Sequence, residues 1–146
     1  MIRSDVLDEN ESPIHSIAVD ENKRFIFCGD ENGDVRKFDL EFGSHQQFKA
    51  HRESVRDIGL AHDGNTIITG SQDNTVAAFD AETLIEKWRY RCSSYTGPLA
   101  IIENEVFVSV AYFPIICLDA STGNLKRTFE EIIGGSIVFM AVAPRG

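Results

Sequence analysis

Residues 51–80, HRESVRDIGLAHDGNTIITGSQDNTVAAFD, contain the strand-and-turn pattern from which the fold of the chain is predicted. Apolar and polar side chains alternate over 55–60, which is the pattern of a strand with one buried face. Two further apolar segments, 66–70 and 75–79, follow turns rich in Asp, Gly and Asn, residues that tolerate tight hairpins. The stretch therefore predicts a three-stranded antiparallel meander, which is too small to bury a core by itself.

The same pattern occurs in at least two more copies. A shift of 41 residues aligns Ile17 with Ile58, Ile26 with Ile67, Gly29 with Gly70, Val35 with Val76, Phe38 with Phe79, and Asp39 with Asp80. A less regular third copy has strands predicted at 106–110 and 115–119, and segments 44–48, 85–90 and 124–129 predict an outer strand for each copy. A period near 40 residues with four strands is typical of a β-propeller.

The predicted fold is therefore all-β, a propeller of four-stranded antiparallel blades, of which this chain supplies about three and a half. Blade 1 is expected at about 13–50, blade 2 at about 51–92, blade 3 at about 95–131 and the start of a further blade at 134–146. Residues 1–12 are expected to form a flexible N-terminal segment. Because a closed propeller needs at least about four blades, we expect either the remainder of a longer propeller or association between copies.

The central unit resembles a WD40 repeat. Members of that family have a hydrogen-bonded set formed by a His before the first strand, a Ser or Thr in the second, an Asp in the next turn and a Trp closing the third. Those positions hold His51, Thr69, Asp73 and Phe79. Phe79 has no N–H to donate, so the resemblance implies a structural network that stops at the other three side chains. Less typical residues take these places in the first copy: Asn10, Cys28, Asn32 and Phe38.

A second propeller family is also similar in part. Ala78, Asp80 and Trp88 have the spacing of the tryptophan-docking repeats of quinoprotein-like propellers, although Leu84 stands where those repeats have Gly. Gly123 occupies that place in the third copy, and no Trp follows it. This alternative implies part of a PQQ-type dehydrogenase or of a relative in envelope assembly. Both resemblances imply the same architecture.

The WD40 resemblance implies a non-catalytic scaffold that binds other proteins or peptides through loops on its top face. The family's contact positions fall on Ser54, Arg56 and Gln72 in the second copy. The 41-residue shift transfers them to Pro13, His15 and Glu31, and the nearest residues in the third copy are Tyr95 and Ala111, beside Tyr112 and Phe113. We therefore predict that a partner binds six residues: Ser54, Arg56, Gln72, His15, Glu31 and Tyr95.

Composition narrows the classes of function. The net charge of −9 argues against nucleic acid, whose phosphates require a basic face, and against an anionic membrane surface. No nucleophile motif accompanies His51 and Asp73, so we interpret this pair as structural rather than catalytic. Cys28, Cys92 and Cys117 form no zinc-binding pattern, and we predict no metal or cofactor. The N-terminal segment lacks the apolar core of a signal peptide, and we expect a cytoplasmic protein.

Overall fold

The computed structural model describes residues 12–133, and within them the chain forms twelve strands in three sheets. The first sheet contains β1 (Ile14–Val19), β2 (Phe25–Asp30), β3 (Asp34–Asp39) and β4 (His45–Lys49). The second contains β5 (Val55–Leu60), β6 (Thr66–Ser71), β7 (Thr75–Asp80) and β8 (Glu86–Arg91). The third contains β9 (Thr96–Ile102), β10 (Glu105–Val110), β11 (Pro114–Asp119) and β12 (Leu125–Ile133).

Each sheet is an antiparallel meander whose strands pair in chain order. The predicted all-β fold with four-stranded blades is therefore confirmed, with about three blades in the described part of the chain. The further blade predicted at 134–146 and residues 1–11 of the N-terminal segment lie outside the described residues. The division of the chain at the predicted boundaries stays a prediction. Among residues 12–133, no helix is long and apolar enough to cross a membrane.

The blades pack face to face around two apolar clusters. One cluster joins blades 1 and 2 through side chains such as Phe27, Val55 and Ile67. The other joins blades 2 and 3 through side chains such as Ile68 and Val108. The first strands of successive blades contact one another, β1 with β5 and β5 with β9. The first strands therefore lie innermost in this arrangement, and the fourth strands lie outermost.

The meander places the loops at two opposite ends of the sheets. Loops that precede a first strand or join a second strand to a third lie at one end, which we call the top face (12–13, 31–33, 50–54, 72–74, 92–95 and 111–113). These turns are tight, and Asn74 and Tyr112 adopt positive φ values of 71° and 66°. The remaining loops form the bottom face. All the predicted partner-binding residues fall at or next to the top face.

Candidate functional site

Equivalent hydrogen bonds fix the loops of the top face in all three blades. The backbone N–H of Glu31 donates to the carbonyl of Pro13 (2.9 Å) in blade 1. The N–H of Gln72 donates to the carbonyl of Ser54 (3.0 Å) in blade 2, and the N–H of Ala111 donates to the carbonyl of Tyr95 (3.0 Å) in blade 3. The third copy is irregular in sequence, but this bond makes Tyr95 the counterpart of Ser54 and Ala111 the counterpart of Gln72. The three blades therefore present equivalent loop positions at the same end.

Most of the predicted contact residues are accessible. His15, Glu31, Arg56 and Gln72 are exposed in the structure. Ser54 is the exception and corrects our prediction, because its side chain is only 4% exposed. Its carbonyl is bonded to the 72–74 turn, and its residue lies beneath that loop layer rather than on it. Ser54 is therefore not available for contact with a partner in this arrangement.

An aromatic group dominates the top face of blade 3. Tyr95, Tyr112 and Phe113 are 37%, 70% and 43% exposed. The rings of Tyr95 and Tyr112 meet edge to face with centroids 6.4 Å apart. A hydrogen bond with Tyr112 raises the pKa of Tyr95, while the charge of the nearby Arg56 acts in the opposite direction. Exposed tyrosines beside an arginine are the residue types that contribute most to protein interfaces.

A buried polar network lies beneath these loops in blade 2. The Nδ1 atom of His51 is 3.0 Å from a carboxylate oxygen of Asp73, and its Nε2 atom is 2.7 Å from the hydroxyl of Thr69. Because a carboxylate only accepts, the His51 nitrogen facing Asp73 carries the proton. The side chains of His51 and Asp73 are 0% and 6% exposed. The structure therefore brings together the three side chains that the WD40 resemblance implies.

The network extends further than the sequence predicted. The hydroxyl of Thr75 donates to Asp73 at 2.6 Å, and Arg89 donates to that hydroxyl at 2.8 Å. Arg89 also donates to the carbonyl of Ala50 at 2.7 Å. The prediction that the network stops at His51, Thr69 and Asp73 is therefore wrong. Arg89 comes from the outer strand β8, where the resemblance offers no position to compare.

Asp73 is held as a carboxylate by its partners. Burial acts to raise the pKa of Asp73, but the hydrogen bonds from His51 and Thr75 outweigh burial and lower the pKa well below its usual range. The N–H of Arg52 adds a further donor at 3.1 Å. Every polar atom of this carboxylate is therefore engaged inside the blade.

Phe79 has a packing role in place of a polar one. Its ring meets that of Phe48 on β4 at 5.0 Å in an edge-to-face arrangement, and the guanidinium of Arg89 lies 5.9 Å from its centroid. Phe79 is 3% exposed. Phe79, at the position where WD40 repeats have Trp, thus joins blade 2 to the outer strand of blade 1.

Blade 1 contains a different buried polar pair. A guanidinium nitrogen of Arg36 donates to a carboxylate oxygen of Asp30 at 2.9 Å, and the two side chains are 3% and 1% exposed. The other oxygen of Asp30 accepts the N–H groups of Asn32 and Asp34. The WD40 alignment places Asn32 at the acidic turn position, but Asp30 supplies the acceptor. The missed signal is that the 41-residue shift places Arg36 at the position of Ala77, and an arginine at an apolar position of the repeat requires a nearby acid.

Neighbouring blades are joined by hydrogen bonds to equivalent carbonyls. Lys37 of blade 1 donates to the carbonyl of Ala81 at 2.7 Å, and the indole N–H of Trp88 in blade 2 donates to the carbonyl of Ala120 at 2.9 Å. Trp88 also packs closely on Gly123, where an added Cβ would collide with the indole. Trp88 therefore docks between blades, while the quinoprotein-like alternative as a whole stays a hypothesis.

The cysteines are free thiols in the interior. Cys28, Cys92 and Cys117 are all buried and form no disulfide. Burial, together with the charge of Asp73, raises the pKa of Cys92 to about 12, so this thiol is protonated at neutral pH. Within residues 12–133, no group of three or more His, Cys, Asp or Glu side chains is arranged to hold a metal ion.

Comparison with known proteins supports a WD40-type repeat. Residues 43–80 match the family described as WD domain, G-beta repeat, and this match covers β4 to β7. The chain is 32% identical to eukaryotic translation initiation factor 3 subunit I of Nematostella vectensis over 91 residues, which are 55% of this chain and 28% of that protein. It is 28% identical to WD repeat-containing protein 18 of Danio rerio over 83 residues, which are 48% of this chain and 19% of that protein.

A solved structure supports the fold. The WD40 repeats of RRP9 superpose with a TM-score of 0.77 at 13% identity, covering 84% of this chain and 40% of that chain. The predicted resemblance to WD40-repeat proteins is therefore confirmed, both in the sequence of the second blade and in the propeller fold. The chain spans less than a third of the length of the curated relatives it matches.

Proposed function

We propose that this protein is a non-catalytic scaffold that binds another protein or a peptide through its top face. The observation that carries the proposal is the set of exposed side chains on loops fixed by equivalent hydrogen bonds. Arg56, Gln72 and the aromatic pair Tyr95 and Tyr112 stand on this face without being needed by the core. The similarity to WD-repeat proteins supports a role in protein interaction.

The buried network supports binding rather than catalysis. A general base must reach a proton on its substrate, directly or through one water molecule. His51 and Asp73 are almost completely buried, and both bond to side chains within the blade. The one His–Asp pair at the top of blade 2 is therefore engaged in structure, as we expected from its place in the repeat.

Net charge and sequence similarity support a class of partner and a location. The net charge of −9 supports a protein or peptide partner over nucleic acid or an anionic membrane. Similarity to a translation initiation factor subunit supports a location in the cytoplasm. We also propose that additional blades, from a longer chain or a second copy, complete the ring. Light scattering on the purified chain tests the second-copy form of this proposal.

The proposal is tested by comparing variants at the two ends of the blades. We propose affinity purification from an extract of the source cells with the wild-type chain, with Arg56→Ala combined with Tyr112→Ala, and with Glu82→Ala as the bottom-face control. Proteins retained by the wild type and by Glu82→Ala should be lost from the top-face variant. Retention of the same proteins by all three chains would contradict binding through the top face.

A further inference from the structure

A concave feature lies at the top end of blades 1 and 2, towards their outer strands. It is a cavity of about 450 Å³, and its walls carry the cationic side chains of Lys49, Arg52, Arg89 and Arg91. We call these four residues the basic pocket. The chain as a whole has a net charge of −9, so the gathering of four cations around one cavity is a local reversal of the overall charge.

Two of the four cations are already neutralised. Lys49 forms an ion pair with Asp34 at 3.4 Å, and Arg89 forms one with Glu86 at 2.6 Å. These partners hold the two side chains in place at the cavity wall. Arg89 is fixed further by its bonds to the Thr75 hydroxyl and a backbone carbonyl.

The other two cations, Arg52 and Arg91, are exposed, and their guanidinium groups form no ion pair or hydrogen bond with the described residues. Asp73 is the one carboxylate that lines the cavity, and it is occupied by His51, Thr75 and the backbone N–H of Arg52. The cavity therefore presents two guanidinium groups, those of Arg52 and Arg91, without a carboxylate partner among the described residues.

We propose that the basic pocket binds the phosphate group of a phosphorylated peptide side chain. A guanidinium group donates two parallel hydrogen bonds to a phosphate, and a phosphoserine carries a charge of about −2 at neutral pH. The cavity has room for one such group, and Arg52 and Arg91 supply two guanidinium groups that are not engaged by other side chains among the described residues. This site adds to the proposed peptide-binding face and uses none of the residues on which that proposal rests.

The surroundings of the pocket favour a single phosphate over a polymer of phosphates. Asp34 and Glu86 flank the cations, and Glu53 follows Arg52 in the same loop. An RNA strand extending beyond the cavity would meet these carboxylates, and affinity for RNA requires several neutralised phosphates in succession. A phosphopeptide places one dianion in the pocket and leaves neutral groups outside it.

The test is an NMR titration of the full chain labelled with ¹⁵N. The probes are the peptide acetyl-Gly-phosphoserine-Gly-amide, the same peptide with serine, and a ten-nucleotide uridine RNA. The variants are Arg52→Gln combined with Arg91→Gln, and Lys126→Gln as a control cation next to the bottom face. Arg52, Arg91 and Lys126 are exposed, so all variants should fold.

The phosphopeptide should shift the resonances of the 50–53 loop and of the Arg52 and Arg91 side chains, and the serine peptide should not. The double variant should weaken phosphopeptide binding by about tenfold for each arginine removed, while Lys126→Gln leaves it unchanged. Equal binding of both peptides, or no effect of the double variant, would overturn the proposal. Tighter binding of the RNA that the double variant abolishes would also overturn it, in favour of a nucleic-acid site.

Discussion

Blades 1 and 2 have the same strand frame and different polar interiors. Their second and third strands pair in equivalent register, Gly29 opposite Val35 and Gly70 opposite Val76. Blade 2 contains a network centred on a buried histidine, whereas blade 1 contains the ion pair of Asp30 and Arg36. The apolar positions are therefore enough to define the frame, and more than one polar set fits inside it.

The difference shows what a blade requires of its buried polar groups. A buried charge or histidine needs a partner, because an unpaired buried donor or charge costs more than the paired group contributes. In the histidine network, several hydrogen bonds share this task, and in each of them at most one partner is charged. In the ion pair of blade 1, both partners are charged. Removing one member should therefore be more damaging in blade 1 than in blade 2.

The largest effect is expected from Asp30→Ala. This change leaves the guanidinium of Arg36, which is 3% exposed, without its buried carboxylate. We expect the free energy of unfolding to fall by about 3–5 kcal/mol, measured by urea denaturation followed by circular dichroism. The neighbouring exposed residue provides the control, and Glu31→Ala should change stability by less than about 0.5 kcal/mol. If Asp30→Ala lost no more stability than Asp73→Ala, the inference that blade 1 is more sensitive than blade 2 to loss of a buried partner would be wrong.

A smaller loss is expected from Asp73→Ala in blade 2. The change removes the acceptor of His51 and Thr75 and should cost about 1–3 kcal/mol, because buried donors lose their partner. Gln72→Ala, one residue earlier and exposed, should leave stability within about 0.5 kcal/mol of the wild type. Urea denaturation of both variants checks this pair. Equal losses would contradict the assignment of Asp73 to the buried network and of Gln72 to the top face.

Trp88→Phe should have a still smaller effect. It removes the indole N–H that bonds to the carbonyl of Ala120 between blades 2 and 3, and we expect a loss of about 1 kcal/mol. The residue 41 positions earlier is Gln47, which is exposed in blade 1. Gln47→Ala should therefore change stability by less than about 0.5 kcal/mol in thermal unfolding followed by circular dichroism. An equal loss for the two variants would contradict a specific role of the Trp88 indole in the contact between blades 2 and 3.

The smallest effect is expected from acid. The folded state lowers the pKa of Asp73 below the unfolded value of about 3.9, so its contribution is complete above about pH 4 and is lost as the pH falls through the folded pKa. The free energy of unfolding of the wild type minus that of Asp73→Asn should therefore be constant from pH 7 to about pH 4.5 and narrow below pH 4. A difference that widens in acid would have the wrong sign for a carboxylate held ionised.

The frame could be predicted from the sequence because it depends on apolar periodicity and on turns. The shift that aligns Ile17 with Ile58 also aligns the strands of the first two blades as the structure has them. The polar interiors could be predicted only where a family pattern exists, as for His51 and Asp73. Arg89 could not be found in this way, because a bulge in the pairing of β7 with β8 sets which outer-strand side chains turn inward.

The top-face positions and the basic pocket also differ in how far the sequence predicts them. The equivalent loop positions follow from the repeat, although burial of Ser54 depends on loop packing that spacing does not describe. The basic pocket could not be predicted, because Lys49 lies on the outer strand of one blade and Arg91 on that of the next. Its residues are ordinary surface cations in the sequence, and only the packing of two blades brings them together.

The carbonyls of Ala81 and Ala120 bear on how blades can be duplicated or reordered in evolution. Each accepts a donor from the preceding blade, and the two donors are chemically unlike, an ammonium group and an indole. The acceptor is a main-chain atom, so no substitution of its own side chain removes it. A blade with this turn can follow any blade that supplies a suitable N–H. Duplication or reordering of whole blades would thus preserve the joint between them, while the loops of the top face vary independently.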